Sequence, residues 1–370
     1  MGRLAATFSA LQVALTFIAA SAIGCTEPDA AEGEDPAYVV ALVQSSRAQS
    51  SELTDVDVTD LVGSAVAQAG GFDFIHDGQT IALKPNLVTF YQDAGETLAS
   101  KTISGVNTDW RVVKAVADLV RTKNPTGKIL VMDGATLTTP TVFSLLGYTL
   151  ENFGTLVDEL IPLEGTACND TSTALLEQRT ARSGKAYWLD RRYASADVVI
   201  SIPTLATDAW TGIGGAVESL GIGATPAGQY GSAENQDVCE RTKIDRSTPQ
   251  TAGDFIRDYY GIRPADFVIM DGLQGLEHGP LPVWDDSGSY DYASSIKNMR
   301  LVLAGKNAVA VDSVASSIMK CLPSNVPHLS ALQADGLGTT DLSQIKVVGK
   351  ALSEVAQPFV GKHAEICPGR

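Results

Sequence analysis

Cysteine is scarce in this sequence and never occurs in the CxxC spacing. The chain has five cysteines in 370 residues. Because cysteine zinc sites and iron–sulfur clusters are built from closely spaced thiolates, neither is expected. The motifs GxSxG and GxxxxGK(S/T) are absent, and TGIGGAVESLGIG (211–223) misses the GxGxxG spacing. The sequence thus carries no serine-hydrolase, P-loop or dinucleotide-binding signature, and close helix–sheet packing is the expected reason for those glycines.

Basic residues are also few. Lysine and arginine number 27 against 43 aspartates and glutamates, which gives a formal net charge of −16. A surface of that sign repels nucleic-acid phosphates and anionic lipid headgroups. Nucleic acid is therefore not an expected partner, and a basic patch is not the expected route to a membrane.

A long apolar run lies at the N-terminus, within residues 1–25, and follows a single basic residue, Arg3. This pattern is typical of a secretory signal peptide. Its last four residues, AIGC, resemble a bacterial lipobox, which predicts a lipid anchor on Cys25 and an exported, envelope-bound protein. The alternative is ordinary cleavage near Ala20 or Ala22, which leaves a soluble secreted protein.

The next segment, TEPDAAEGEDPA (26–37), is acidic and lacks bulky apolar residues. It cannot bury enough surface to order itself, so we predict a disordered tether. A folded domain is expected over residues 38–350, followed by a C-terminal tail over 351–370. The remaining length suffices for one large domain or two coupled lobes.

Four cysteines remain in the predicted mature chain, an even number that favours two disulfides in an exported protein. Three pairings are possible. We favour Cys168–Cys239, which joins two polar, turn-rich stretches, and Cys321–Cys367, which would tie down the tail. The alternative is four free thiols.

Short apolar segments alternate with segments of helical periodicity along the chain. The predicted strands are 38–43, 79–88, 128–135, 196–203, 266–272, 300–305 and 345–349, and the predicted helices are 58–70, 109–123, 308–320 and 328–338. This alternation predicts an α/β fold with a mainly parallel sheet and helices on both faces. Two polar stretches, 164–192 and 222–252, are expected to form loops or a small disulfide-bearing insertion.

Six segments resemble, in the same order, the bacterial and archaeal family known as domain of unknown function 362. They are IALKPNLV (81–88), KILVMDGA (128–135), ADVVISIPTLATDAWTGIGGAVESLGIG (196–223), DFVIMDGLQGLEHGP (266–280), LAGKNAVAVDSVASSIM (303–319) and HLSALQADGLG (328–338). The resemblance covers roughly residues 38–350. It implies no particular reaction, and the ferredoxin-like cluster motif of some relatives is absent here.

The sequence departs from the family at two places. Family members usually show Lys-Thr-His after the strand that matches VVISIP, and a Lys-Asn pair before a glycine. This chain has Ala206, Thr207 and Asp208 at the first place, and Glu218 and Ser219 at the second. If the family binds an anion through those basic groups, the resemblance implies that this chain binds it poorly, binds a different ligand or has lost activity.

Several carboxylates follow predicted strands, where ligands of parallel sheets bind. Convergence of these acids would favour a hard cation such as Mg²⁺ or Ca²⁺, and His278 beside them would favour Zn²⁺ or Mn²⁺. The candidate metal ligands are Asp133, Asp271, Glu277 and Asp312, with Asp208 nearby. The alternative for Asp133 and Asp271 is turn formation, because Asp-Gly at a strand end stabilises a turn by side-chain hydrogen bonding.

Three further residues are candidates for catalysis. Lys84 and Asn86 flank Pro85 at a strand end, where they are predicted to bind an anionic group of a substrate. The alternative is a lysine at a sheet edge and an asparagine that caps a loop. His278 is the candidate for proton transfer, and its alternative is a loop residue hydrogen-bonded to backbone.

Two functions remain open from the sequence. One is a small-molecule enzyme assisted by a divalent metal, and it requires Lys84, Asp133, Asp271 and Asp312 to meet in one pocket. The other is a non-catalytic lipoprotein that binds a ligand or an envelope component and has lost the family's basic residues. That protein does not require the four side chains to meet.

Overall fold

The apolar strand segments assemble into one large, mostly parallel sheet. The computed structural model describes residues 38–89, 92–93, 96–97, 105–231, 234, 236–284 and 290–369. Its strands in chain order are β1 Tyr38–Gln44, β2 Thr80–Pro85, β3 Gln92–Asp93, β4 Glu96–Thr97, β5 Lys128–Asp133, β6 Glu159–Pro162, β7 Leu176–Thr180, β8 Ala186–Asp190, β9 Val198–Ile202, β10 Thr204–Asp208, β11 Gly212–Gly214, β12 Phe267–Leu276, β13 Val283–Trp284, β14 Tyr290–Asp291, β15 Ile296–Gly305 and β16 Ile345–Gly349.

Helices separate most of these strands. They are α1 Asp55–Gln68, α2 Trp110–Lys123, α3 Thr139–Leu145, α4 Leu150–Phe153, α5 Arg191–Ala194, α6 Ala216–Gly221, α7 Ala227–Tyr230, α8 Pro249–Ile262, α9 Tyr292–Ser295, α10 Ala308–Ile318, α11 Pro327–Ala334 and α12 Leu352–Val355. Helix α2 begins where the sequence predicts, because Asp109 accepts a hydrogen bond from the Arg111 amide and caps the first turn.

The main sheet has the strand order β16-β1-β15-β12-β9-β2-β5-β6. Strand β15 runs antiparallel to both of its neighbours, and the other pairs along this order are parallel. Successive side chains of a strand face opposite sides of a sheet. Accordingly, Ile81 and Leu83 pack in a core with α1 and α2, whereas Ala82 packs in a core with α8 and α10. The predicted α/β class with helices on both faces is confirmed.

The direction of strand addition reverses beside β2. The chain builds β5 and then β6 on one side of β2, and it places β9 and then β12 on the other side. At such a switch point the loops that follow adjacent parallel strands diverge and leave a crevice at the carboxyl ends of the strands. The strand order therefore places a crevice beyond β2 and β9.

Both predicted disulfides are confirmed. Cys168 is bonded to Cys239, and Cys321 is bonded to Cys367. Two disulfides are typical of proteins that fold in an oxidising compartment. None of the described helices is long and apolar enough to span a bilayer. The predicted signal peptide, the predicted lipidation site Cys25 and the predicted tether lie outside the described residues.

The two polar stretches contain more regular structure than the sequence indicates. Strands β7 and β8 pair antiparallel within the first stretch. Helix α8 begins within the second stretch, where Thr248 and Thr251 form a capping box ahead of a proline at the first helical position. Of the two predicted alternatives, loops alone is therefore wrong, whereas the predicted disulfide does join the two stretches.

Candidate active site at the strand switch point

A cavity of about 190 Å³ occupies the crevice beyond β2, β5 and β9. The loops after these strands, the β10–β11 hairpin, the start of α6 and the segment after Cys239 form its walls. Its polar lining includes Asn86, Asp133, Thr204, Thr207, Asp208, Glu218, Glu240, Arg241 and Arg246. Apolar lining is supplied by Leu87, Val88, Val106, Ala206, Trp210, Ile222 and Leu281. A mixed lining of this kind is typical of small-molecule sites.

A buried ion pair stands at one wall of this cavity. The Lys84 ammonium, at the end of β2, contacts the Asp133 carboxylate, at the end of β5, and both side chains are almost fully buried. Lys84 also donates to the Pro85 carbonyl at 2.6 Å and to the Ser219 hydroxyl at 3.4 Å. Burial lowers the pKa of Lys84 and raises that of Asp133, and the opposite charge of the partner counteracts each shift. The ammonium is thus already engaged by protein atoms.

Glu218 lies in the first turn of α6, partly buried, and lines the cavity. Burial raises the pKa of its carboxyl to about 8, and the negative charge of Asp208 adds to the rise. The positive charges of Lys84 and Arg246 act in the opposite direction. Glu218 is therefore a carboxylic acid that keeps its proton at neutral pH and faces a cavity.

Asp208 and Trp210 are held by the turn between β10 and β11. One Asp208 oxygen, Oδ1, accepts hydrogen bonds from the Trp210 amide at 2.8 Å, the Thr211 amide at 2.8 Å and the Thr211 hydroxyl at 2.9 Å. The guanidinium carbon of Arg246 lies 4.4 Å from the centre of the Trp210 ring. The hairpin thereby sets an acid and an indole at the edge of the cavity.

The C-terminal tail braces this hairpin from behind. The Val360 carbonyl accepts from the Thr207 hydroxyl at 3.2 Å, and His363 Nε2 lies 2.9 Å from the Ala209 carbonyl oxygen. Gly212 permits the close approach of the tail, because a Cβ there would lie 2.5 Å from a methyl carbon of Ile366. The disulfide at Cys367 secures this segment to Cys321.

Of the predicted catalytic residues, Asn86 alone lines the cavity. Its amide nitrogen donates to the Val106 carbonyl at 3.3 Å and to the Thr204 hydroxyl at 3.5 Å, so it joins two walls. Lys84 is not free to bind a substrate anion, because its ammonium is buried against Asp133. His278 is not among the lining residues, and its backbone N–H donates to the Val360 carbonyl at 2.9 Å.

The four predicted metal ligands do not converge. Asp133 pairs with Lys84. Asp271 accepts from the amides of Asp109 and Leu273, and Glu277 accepts from the Val360 amide and pairs with Lys297 at 2.7 Å. Asp312 accepts from the amides of Ala216 and Val217 at the start of α6. Within the part of the chain that the structure describes, no group of three His, Cys, Asp or Glu residues is placed to hold a metal ion.

Each of these carboxylates finds its partners in backbone amides or a neighbouring cation, which is why the metal site is not assembled. For Asp133, at the end of β5, the bond from Gly134 is of the kind that the turn interpretation predicts. Asp271 instead lies within β12, where its bond from Leu273 accompanies a shift in strand register, so the expected turn is not formed there. Asp312 reaches α6 because Gly215 has no side chain. A Cβ at Gly215 would lie 2.6 Å from the Asp312 carboxylate, so close packing does explain this glycine.

The positions at which the sequence departs from the family pattern lie at the cavity. Ala206, Asp208 and Glu218 line it, together with Thr207, which keeps the family residue, and the Ser219 hydroxyl accepts from Lys84. The sequence identifies these positions as departures from the family, and of them only Asp208 was a candidate for a role, near the predicted metal ligands. Sequence reasoning missed Trp210, Arg241 and Arg246, because nothing in their local sequence distinguishes them from loop residues.

The fold and the cavity define an α/β protein whose crevice, at the point where the strand order reverses, is large enough for one small-molecule ligand. The chain matches the family described as Domain of unknown function (DUF362) over residues 81–317, and it belongs to that family. No curated protein matches it. Among solved structures, it is similar to the lactate racemase apoprotein from Thermoanaerobacterium thermosaccharolyticum, with 10% identity and a TM-score of 0.38. That match covers 81% of this chain and 57% of the racemase, so the chain spans little more than half the length of this relative.

Proposed function

We propose that the cavity is the active site of a small-molecule enzyme in which Glu218 serves as the general acid. The observation that carries this proposal is the position of Glu218, partly buried in the wall of a crevice at the strand switch point. Its pKa of about 8 keeps the carboxyl protonated at neutral pH and leaves it acidic enough to donate. A carboxylic acid in such a setting is a common proton donor in enzymes.

The neighbours of Glu218 have supporting roles in this proposal. The Lys84–Asp133 pair holds the ends of β2 and β5 together and supplies a positive charge that stabilises the ionised form of Glu218 after it donates. Asp312 fixes the first turn of α6 through two amides, which sets the position of the Glu218 backbone. Asn86 joins two walls of the cavity through its two side-chain hydrogen bonds and so fixes the distance between them.

A second candidate function is ligand binding without catalysis. The specific observation in its favour is that Lys84, Asp133, Asp271 and Asp312 are all engaged in bonds that stabilise the fold. The catalytic hypothesis from the sequence required these four to meet at one site, and the present proposal does not rely on it. The two candidate functions differ in whether the bound ligand is chemically altered or only bound.

Glu218→Gln is expected to lower turnover by about 100-fold or more, because an amide cannot supply the proton. The substitution preserves size and neutrality, so the cavity keeps its shape. The oxidised full chain is incubated with a small-metabolite extract of the cells that produce it, and mass spectrometry identifies any compound that is consumed or formed. Compounds that bind but are never altered by the wild-type protein would support the non-catalytic candidate instead.

The pH profile of turnover tests whether Glu218 donates a proton. Turnover by the wild-type protein should fall as pH rises through about 8, because Glu218 then loses the proton it donates. The free energy of unfolding should change in the same direction as turnover. The Glu218 carboxyl binds a proton more tightly in the folded state than in the unfolded state, so stability falls as pH rises from the ordinary pKa of glutamate through about 8. Glu151→Gln makes the same substitution at an exposed position on α4, away from the cavity, and should leave both profiles unchanged.

We propose further that the protein is exported and attached to a membrane surface by a lipid on Cys25, with residues 26–37 as a tether. Two disulfides and the lipobox-like AIGC sequence support this proposal. Cys25→Ser should move the protein from the membrane fraction to the soluble fraction after cell fractionation. Membrane association that survives Cys25→Ser would contradict the lipid anchor.

A further inference from the structure

Arg241 and Arg246, from the segment after Cys239, bring positive charge to the cavity. They differ in whether their N–H groups already donate hydrogen bonds. Arg241 is buried and directs Nη1 at the carbonyls of Ala135 and Cys239, each at 2.6 Å, and Nη2 at the Thr225 carbonyl at 3.0 Å. Its donors are satisfied by neutral oxygens, so its charge is not cancelled by contact. Arg241 therefore adds a positive field at one wall.

The N–H groups of Arg246 are available to a ligand. Its guanidinium lies over the Trp210 ring and lines the cavity, and within the described residues it makes no hydrogen bond or ion pair. Stacking uses the flat face of a guanidinium and leaves the N–H groups at its edge available. Trp210, which is 36% exposed, thus contacts the Arg246 guanidinium where both side chains line the cavity.

The acids of the cavity do not form ion pairs with these arginines. Asp133 pairs with Lys84, and Asp208 accepts from the three neutral donors of its hairpin turn. Glu218 is held in its neutral form by burial, and Glu240 is exposed to solvent. Within the described residues, both arginines therefore line the cavity without an ion-pair partner.

The shape and remaining lining restrict the ligand further. The cavity of about 190 Å³ admits a small molecule, and much of its wall is apolar. A guanidinium edge binds a carboxylate or a phosphate through two parallel N–H···O bonds. The single charge of one available guanidinium balances a carboxylate and leaves a doubly charged phosphate only half neutralised. A ligand with one carboxylate and a short apolar body uses both parts of the cavity.

We propose that the cavity binds a small organic carboxylate, which the edge of Arg246 holds by its carboxylate group while its apolar body lies against Val106, Ile222 and Leu281. This inference rests on the proposed function in that it names the substrate class of the same cavity. Arg246 is then the binding residue for the anion, a role that the sequence assigned to Lys84.

Matched pairs of probes test this inference. The oxidised full chain is titrated at neutral pH with butyrate and butyramide, and with benzoate and benzamide, by ligand-observed saturation-transfer NMR. The carboxylates are expected to bind and the amides to bind about tenfold more weakly or not at all. Inorganic phosphate is the competitor, and it should displace the carboxylates only weakly.

Arg246→Gln is expected to weaken carboxylate binding by about tenfold or more. Lys243→Gln is the matched control, because it removes the same charge from an exposed side chain of the same segment and does not line the cavity. Equal binding of acids and amides, phosphate that competes as well as carboxylates, or full affinity in Arg246→Gln would each overturn the inference. So would the absence of any carboxylate binding by folded protein.

The experiment also separates this inference from the proposed catalysis. Glu218→Gln should retain carboxylate binding, since the side chain it replaces is already neutral. If carboxylates bind through Arg246 and no bound compound is ever altered, the general-acid proposal fails and the carboxylate site stands. If turnover depends on Glu218 but the altered compounds are uncharged, the carboxylate inference fails and the catalytic proposal stands.

Discussion

Lys84→Met is expected to lower the free energy of unfolding by about 3–5 kcal/mol, because it leaves the Asp133 charge buried without its partner. Both side chains are almost fully buried, so neither water nor salt can replace the lost cation. Chemical denaturation of the oxidised protein measures the change. The loss should be partly recovered by adding Asp133→Asn, which removes the isolated charge and keeps an acceptor for the Leu87 amide.

The chain offers a matched control for this substitution. Lys297 pairs with Glu277 at 2.7 Å, but its side chain is 25% exposed. The space that Lys297 vacates is open to water, and Glu277, itself only 8% exposed, keeps the Val360 amide as a donor. Lys297→Met should therefore cost less, about 1–2 kcal/mol. Equal decreases in the free energy of unfolding for Lys84→Met and Lys297→Met would show that burial of the Lys84–Asp133 pair does not increase the cost of breaking it.

Loss of the Cys321–Cys367 disulfide is the second large effect. Replacing both cysteines by serine should lower the free energy of unfolding by about 4 kcal/mol, because a loop of 46 residues regains its freedom in the unfolded chain. The effect should reach the cavity as well. The tail that carries Val360 and His363 would no longer be secured behind the β10–β11 hairpin.

The second disulfide provides the comparison. Cys168–Cys239 closes a segment of 71 residues, so its removal should cost a similar amount, also about 4 kcal/mol. Hydrogen exchange then distinguishes the two. Amides of Thr207 and Trp210 should exchange faster when the tail disulfide is removed, and should change less when Cys168 and Cys239 are replaced. Unaltered exchange at the hairpin in both variants would mean that the tail does not brace it.

These two effects have different origins in the chain. The disulfide pairings were predictable, because few cysteines were available and their neighbourhoods differed in polarity. The Lys84–Asp133 pair was not predicted, although both residues were recognised as strand-end side chains. Their contact depends on β2 and β5 being neighbours in register, with Leu83 opposite Val131, and register is not visible in either segment alone.

The metal prediction failed for a related physical reason. A sequence shows that carboxylates follow strands, but it does not show which backbone amides are left without partners nearby. The unpaired amides at the starts of α2 and α6 are satisfied by Asp271 and Asp312, which come from distant segments. Buried backbone amides need hydrogen-bond acceptors, and here they donate to the carboxylates that a metal ion would have needed as ligands.

By itself, the sequence determined the α/β class, most of the strands and longer helices, both disulfides and the family. These follow from local periodicity, from short-range capping such as that of Asp109, and from residue types that the chain uses sparingly. Tertiary structure alone decided that Glu218 faces a cavity with its proton retained, and that Arg246 lies on Trp210. Burial and the proximity of distant charges set the pKa of a side chain and the availability of its donors, and only the packed sheet brings those neighbours together.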